Sequence, residues 1–206
     1  VQGAERNLDI APWVSPDGRY HLQHWYELEA RVELSLYRGA APARPAEVDA
    51  LFVPLERSLL LRVQTVKALA YWLKARALIA CGDDGDLKTR LRAVDKLGRQ
   101  LEKLGTGYAR AWGMLVRSSV LRARGQLPEA VRLLRELTGE ADQGDMKLVA
   151  HAARRRLGEL VGDREGELLV TKATQGIREV GVQNVPAFMR MLAPVFDARS
   201  TLILPR

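Results

Sequence analysis

The stretch MLVRSSVLRARGQLPEAVRLLREL, residues 114–137, decides the fold class. Apolar residues return at three- and four-residue steps up to Arg124, which is the period of one helix face. Gly125 stops that helix where a left-handed cap is favoured. Pro128 then opens a second helix, whose apolar face carries Val131, Leu134 and Leu137. Two helices joined by a short turn leave each other's apolar faces only half covered, so such a unit needs neighbours. Within the stretch, Met114, Ser118, Leu121, Gly125, Ala130, Leu134 and Leu137 fall on the large, small, large, Gly, Ala, large, apolar pattern of a tetratricopeptide repeat.

Working outward, Gly39, Gly82 and Gly125 stand 43 residues apart. Eleven residues before each lies a large residue (Leu28, Tyr71, Met114), and seven before lies a smaller one (Val32, Ala75, Ser118). That recurrence predicts an all-α chain, an α-solenoid of antiparallel helical hairpins that are tetratricopeptide-like with a 43-residue period. Expected helices run over about 20–38, from about 46, over 58–81, 87–104, 108–124 and from 126, then over 145–160, 164–180 and 186–192. The turn at residues 83–86 supplies acidic capping groups to the helix after it. Residues 1–17, with Pro12 and Pro16, read as a lead-in or linker without a period; 18–196 form the repeat domain; 197–206 form a C-terminal tail.

Composition supports this reading. Apolar residues are 47% of the 206 and aromatics 6%, so the core is built from Leu, Ala and Val, which suits helices better than a sheet. The net charge of +7 and pI near 9.8 favour an anionic partner: nucleic acid, a lipid surface or an acidic peptide. The single cysteine, Cys81, excludes an internal disulfide framework and points to a reducing, cytoplasmic setting. No apolar run approaches the roughly 20 residues of a membrane span, no signal peptide is visible, and the first residue, Val, reads as part of a longer chain.

Catalytic constellations are missing from the sequence. His21 and His24 share a helix face but have no third ligand in view, and His151 is remote, so no metal and no cofactor are expected. Cys81 has no orienting partner for nucleophilic work, and residues 83–86 lack the twelve-residue calcium loop. Trp25, Trp72 and Trp112 read as packing between repeats rather than a stacking platform, and Trp13 as an anchor for the lead-in. The run Arg154-Arg155-Arg156 points in three directions and is expected to pair with Glu159 or neighbouring helices.

One pattern predicts a working surface. In the 43-residue register His24, Lys67 and Arg110 are equivalent, and so are Arg31, Lys74 and Arg117. The two sets lie seven residues apart and share a face of each first helix. If first helices line a groove, this basic ladder receives an acidic or phosphorylated segment of a protein or peptide. The rival reading is a nucleic-acid-binding repeat with a basic concave face, against which stands the absence of any recognition motif or base-reading code.

The stretches HWYELEARVELSLYRG (24–39), RSLLLRVQ (57–64), AARRRLGEL (152–160), GVQN (181–184) and MLAP (191–194) resemble the C-terminal helical region of large bacterial signalling proteins, especially myxobacterial ones. Those proteins carry an N-terminal eukaryotic-like serine/threonine kinase domain, often with a signalling ATPase module. The tail departs from that pattern at Val185 and Val195. The resemblance implies a non-catalytic regulatory or protein-binding array tethered to other domains of a parent kinase or ATPase. This segment has no kinase Gly-rich loop, His-Arg-Asp or Asp-Phe-Gly motif, and no phosphate loop.

Overall fold

A computed structural model describes residues 2–10, 13–41, 44–82 and 86–196. Among the described residues there are no strands. The helices are α1 (Gln2–Ile10), α2 (Leu22–Arg38), α3 (Pro45–Arg57), α4 (Gln64–Ala80), α5 (Leu87–Glu102), α6 (Gly107–Ala123), α7 (Leu127–Gln143), α8 (Lys147–Val161), α9 (Arg164–Glu179) and α10 (Val185–Leu192). From α4 to α9 each helix packs on the next in sequence, and α2, α4, α6 and α8 also pack successively side by side. No helix is long and apolar enough to cross a membrane among the described residues.

Local chemistry sets the boundaries. Gly39 and Gly125 end α2 and α6 at φ 75° and 73°, a region open to glycine at little cost. The residue after each donates back across the turn, Ala40 to the Ser35 carbonyl and Gln126 to the Leu121 carbonyl, which satisfies end carbonyls of the helix. Asp86, Asp163 and Asn184 cap α5, α9 and α10 by accepting from the amides of Thr89, Gly166 and Ala187, each at 3.0 Å. The rest of the acidic turn, residues 83–85, lies outside the described residues, as does the tail 197–206.

The small residues expected at close crossings are buried: Val32, Ala75 and Ser118. The core around them is Leu, Ala and Val, with Trp25, Phe52 and Met114 fully enclosed. Two boundaries differ from the sequence expectation. Residues 2–10 form a helix instead of an irregular lead-in, because Glu5 pairs with Arg38 and the Leu8 carbonyl accepts from Arg31 at 3.1 Å. These partners lie more than twenty residues away, so no local pattern announces them. The expected helix over 58–81 is interrupted. The Ser58 hydroxyl accepts from the Leu60 amide at 3.2 Å and starts only a 3-10 turn, Leu59–Arg62, before extended Val63 lets α4 begin at Gln64.

Candidate functional site

The last described segment, α10 and residues 193–196, lies against the face shared by α2, α4, α6 and α8. Helix α10 packs on α2, α4 and α9. The main chain of its last turn and of the residues after it is held by side chains of α4, α6 and α8 at equivalent positions. Arg76 Nη1 donates to the Met191 carbonyl at 2.8 Å. Ser119 Oγ donates to the Pro194 carbonyl at 2.9 Å. Arg156 Nε donates to the Ala193 carbonyl at 2.8 Å, with a longer contact from Nη2 to the Met189 carbonyl at 3.4 Å. With Glu33 on α2, these positions step by 43, 43 and 37 residues, the same steps as Gly39, Gly82, Gly125 and Gly162. Helices α2, α4, α6 and α8 thus each contribute one polar residue to a row, three of which bind the carbonyls of a single strap.

Those carbonyls sit at the C-terminal end of α10, where a helix leaves its last acceptors unpaired and its dipole is negative. Guanidinium groups answer both needs. Arg76 is only 2% exposed. It forms a two-pronged pair with Glu33 at 2.5 and 3.0 Å and stacks over Trp72 at 3.7 Å. Trp72 in turn stacks on Trp112 at 4.2 Å and 5°, joining α4 to α6. Glu29, one turn before Glu33, has its carboxyl pushed up by burial and by Glu33, an effect opposed by the Arg76 charge. Apolar residues complete the strap: Val185, Ala187, Met189, Leu192 and Phe196 are buried. Towards α2, Arg190 donates to the Tyr37 carbonyl at 3.1 Å.

The predicted ladder lies elsewhere. Arg31 pairs with Glu27 at 2.9 Å and reaches α1; Lys74 meets Asp49 and Glu56 of α3, both at 2.8 Å; Arg117 meets Glu102 at 2.9 Å and Asp95 at 3.3 Å on α5. Arg154, 37 residues beyond Arg117, continues the set by pairing with Asp142 of α7. Every rung fastens its helix to the helix before it. In the second set, Arg110 pairs with Glu136 and Glu140 of α7 at 3.0 and 2.9 Å, and the His24 ring accepts from the His21 amide. Lys67 has no ion pair among the described residues. The ladder is therefore engaged largely by the chain's own carboxylates and is separate from the strap. Lys74→Glu should accordingly cost about 1 kcal/mol of stability, given the exposed partners. Urea unfolding beside Lys74→Met measures it; equal stability of the two variants would deny the rung this role.

The remaining candidates fall out simply. His21 holds Asp17 at 2.6 Å, and hydrogen bonds from Ser15 and His21 keep the Asp17 carboxyl far below its ordinary range. Trp13 packs edge-on against both His21 and His24, anchoring the segment before α2. No group of three metal-ligating side chains occurs among the described residues. Cys81 is buried, and its sulfur and carbonyl both take hydrogen bonds from Arg90, at 3.3 and 3.1 Å. The three consecutive arginines diverge as expected: Arg154 to α7, Arg155 to Thr174 of α9 and to Glu159, Arg156 to the strap.

Comparison of the chain with protein-family models, curated proteins and solved structures finds no match.

Proposed function

We propose that this chain is a non-catalytic α-solenoid of tetratricopeptide-like hairpins, serving as the protein-interaction and autoregulatory scaffold of a larger bacterial signalling protein, a serine/threonine kinase or ATPase. One observation carries the reading. Three residues of one row, on α4, α6 and α8, hold the carbonyls of a single segment, and that segment is residues 185–196 of the chain itself. Carbonyl recognition is indifferent to side-chain identity, so the same row suits a partner segment of similar shape. The cytoplasmic setting and the kinase or ATPase context rest on the single cysteine and on the sequence resemblance. The nucleic-acid alternative is disfavoured, because Arg76 and Arg156 on this face are already spent on carbonyls and carboxylates.

The test uses the full chain with its strap loosened. Met189 is 3% exposed, so Met189→Asp should release the strap and leave the row intact. A fluorescent peptide of residues 185–196 should then bind Met189→Asp and fail to bind the variant that also carries Arg156→Ala. Equal anisotropy for the two, with helical circular dichroism retained, would reject the groove. Gel shifts of duplex DNA across a salt series address the rival, since phosphate contacts weaken steeply as salt rises.

A further inference from the structure

We infer that the exposed face of α5 docks an acidic segment of a protein partner. This surface is independent of the strap and its row. Lys88, Arg92, Lys96, Arg99 and Lys103 are all exposed and follow one another at steps of four, four, three and four residues. That spacing aligns them as a single ridge, about 22 Å long at the helical rise. Arg124, from the turn between α6 and α7, joins it across a depression of about 370 Å³.

On this ridge cations outnumber carboxylates, and they stand together on one face of one helix. Asp86 offsets the first turn, where Lys88 and Arg92 lower its pKa further after its bonds to Thr89. Beyond that turn Asp95 is the ridge's acidic residue. It is shared by Arg99 at 3.2 Å, Arg117 at 3.3 Å and Arg124 at 3.8 Å. Arg117 is matched by Glu102, at 2.9 Å. Asp95 thus holds two guanidinium groups, of Arg99 and Arg124, at the depression, with Lys96 and Lys103 flanking them. Guanidiniums fixed by a carboxylate keep further donors for an incoming anion and lose little entropy on binding it.

The dimensions select the partner class. An extended segment of about six residues spans 22 Å, so a short run of Asp and Glu covers the ridge from end to end. The depression is lined by Arg92, Asp95, Lys96, Arg99, Gln100, Lys103 and Arg124, with no aromatic ring for a base to stack on. An acidic protein segment therefore fits better than a single nucleic-acid strand.

The experiment is fluorescence anisotropy of a fluorescein-labelled decapeptide containing six acidic residues, titrated with the full chain at low and physiological salt. Lys96→Glu/Arg99→Glu/Lys103→Glu should weaken binding about tenfold or more, because like charges now face the peptide. A control with the same net charge, Arg135→Glu/Arg164→Glu/Lys172→Glu, reverses exposed cations on other helices and should stay within about twofold. Circular dichroism checks that both triple variants fold. The inference is overturned by equal losses in the two variants, by no binding of the parent chain at low salt, or by tighter ridge-dependent binding of single-stranded DNA than of the peptide.

Discussion

Gly158→Ala should lower stability by about 2–3 kcal/mol, the upper range for forcing extra volume into a packed interior. Gly139→Ala, also within a helix, should raise it by up to about 1 kcal/mol. The same substitution is thus expected to act with opposite signs at two helical glycines. Alanine is the better helix former because glycine has more backbone freedom to lose. At Gly139 in α7 nothing lies within 4 Å of the place a Cβ would take, so only that gain applies. At Gly158 in α8 a methyl group would meet the Gly166 carbonyl oxygen of α9 at 2.5 Å and Val170 at 2.9 Å. Backbone cannot rotate aside as a side chain can, so the two helices must separate. Gly166 presents the mirror case, with the Gly158 oxygen 2.5 Å from its own Cβ position. A parallel crossing joins α5 to α6, where the Gly113 position meets the Gly98 oxygen at 2.6 Å. For a chain this long, 2–3 kcal/mol corresponds to a melting point lower by roughly 5–10 °C. Thermal and urea unfolding of both variants measure the contrast; a Gly158→Ala protein as stable as the parent would mean the helices do not approach this closely.

These glycines also show why the sequence reveals only part of the packing. A glycine after a helix is legible, because capping is local; Gly39 and Gly125 behave as their positions predict. A glycine inside a helix reads as mere weakness until the facing helix is known. The same division runs through the rest of the molecule. The 43-residue recurrence points to successive first helices, and α2, α4 and α6 do lie side by side. The step from Gly125 to Gly162 shortens to 37, so the fourth member, with Arg154 and Arg156, drops out of a fixed-period comparison. Equivalence of Arg31, Lys74 and Arg117 is visible in the sequence, but the direction they face depends on their partners in the preceding helix, a carbonyl for Arg31 and carboxylates for Lys74 and Arg117. The strap is hidden for another reason. Its acceptors are main-chain carbonyls at Met191, Ala193 and Pro194, and carbonyls have no sequence signature. The ridge on α5 is legible in principle, as five cations at helical spacing, but its significance lies in how few carboxylates other helices bring to it.

Arg76→Met should be the most damaging single change on the strap-binding row, at about 3 kcal/mol near neutral pH. Removing one member of a buried pair leaves its partner charge uncompensated, which typically costs 3–5 kcal/mol; the low end applies because the Glu33 side chain is 28% exposed. Methionine keeps much of the volume over Trp72, so the loss reports charge and hydrogen bonds more than packing. The Met191 carbonyl loses its donor as well. Acid should soften the defect. Burial and Glu33 already hold the Glu29 carboxyl above its ordinary pKa, and Arg76 counteracts them. A carboxyl whose folded pKa is raised lowers stability as pH rises from its unfolded value through its folded one, because the folded state then holds the extra proton. Without Arg76 the Glu29 carboxyl shifts further in that direction. The gap between Arg76→Met and the parent should therefore be widest at neutral pH and narrow in acid, as the Glu29 carboxyl takes up its proton. Adding Glu33→Gln should recover part of the loss at neutral pH and little of it in acid, which a double-mutant cycle at the two pH values measures. Hydrogen exchange should place the early opening in residues 185–193, since Arg76 ties the end of α10 to α4. A pH-independent deficit, or one spread evenly over all helices, would remove the electrostatic account of this row.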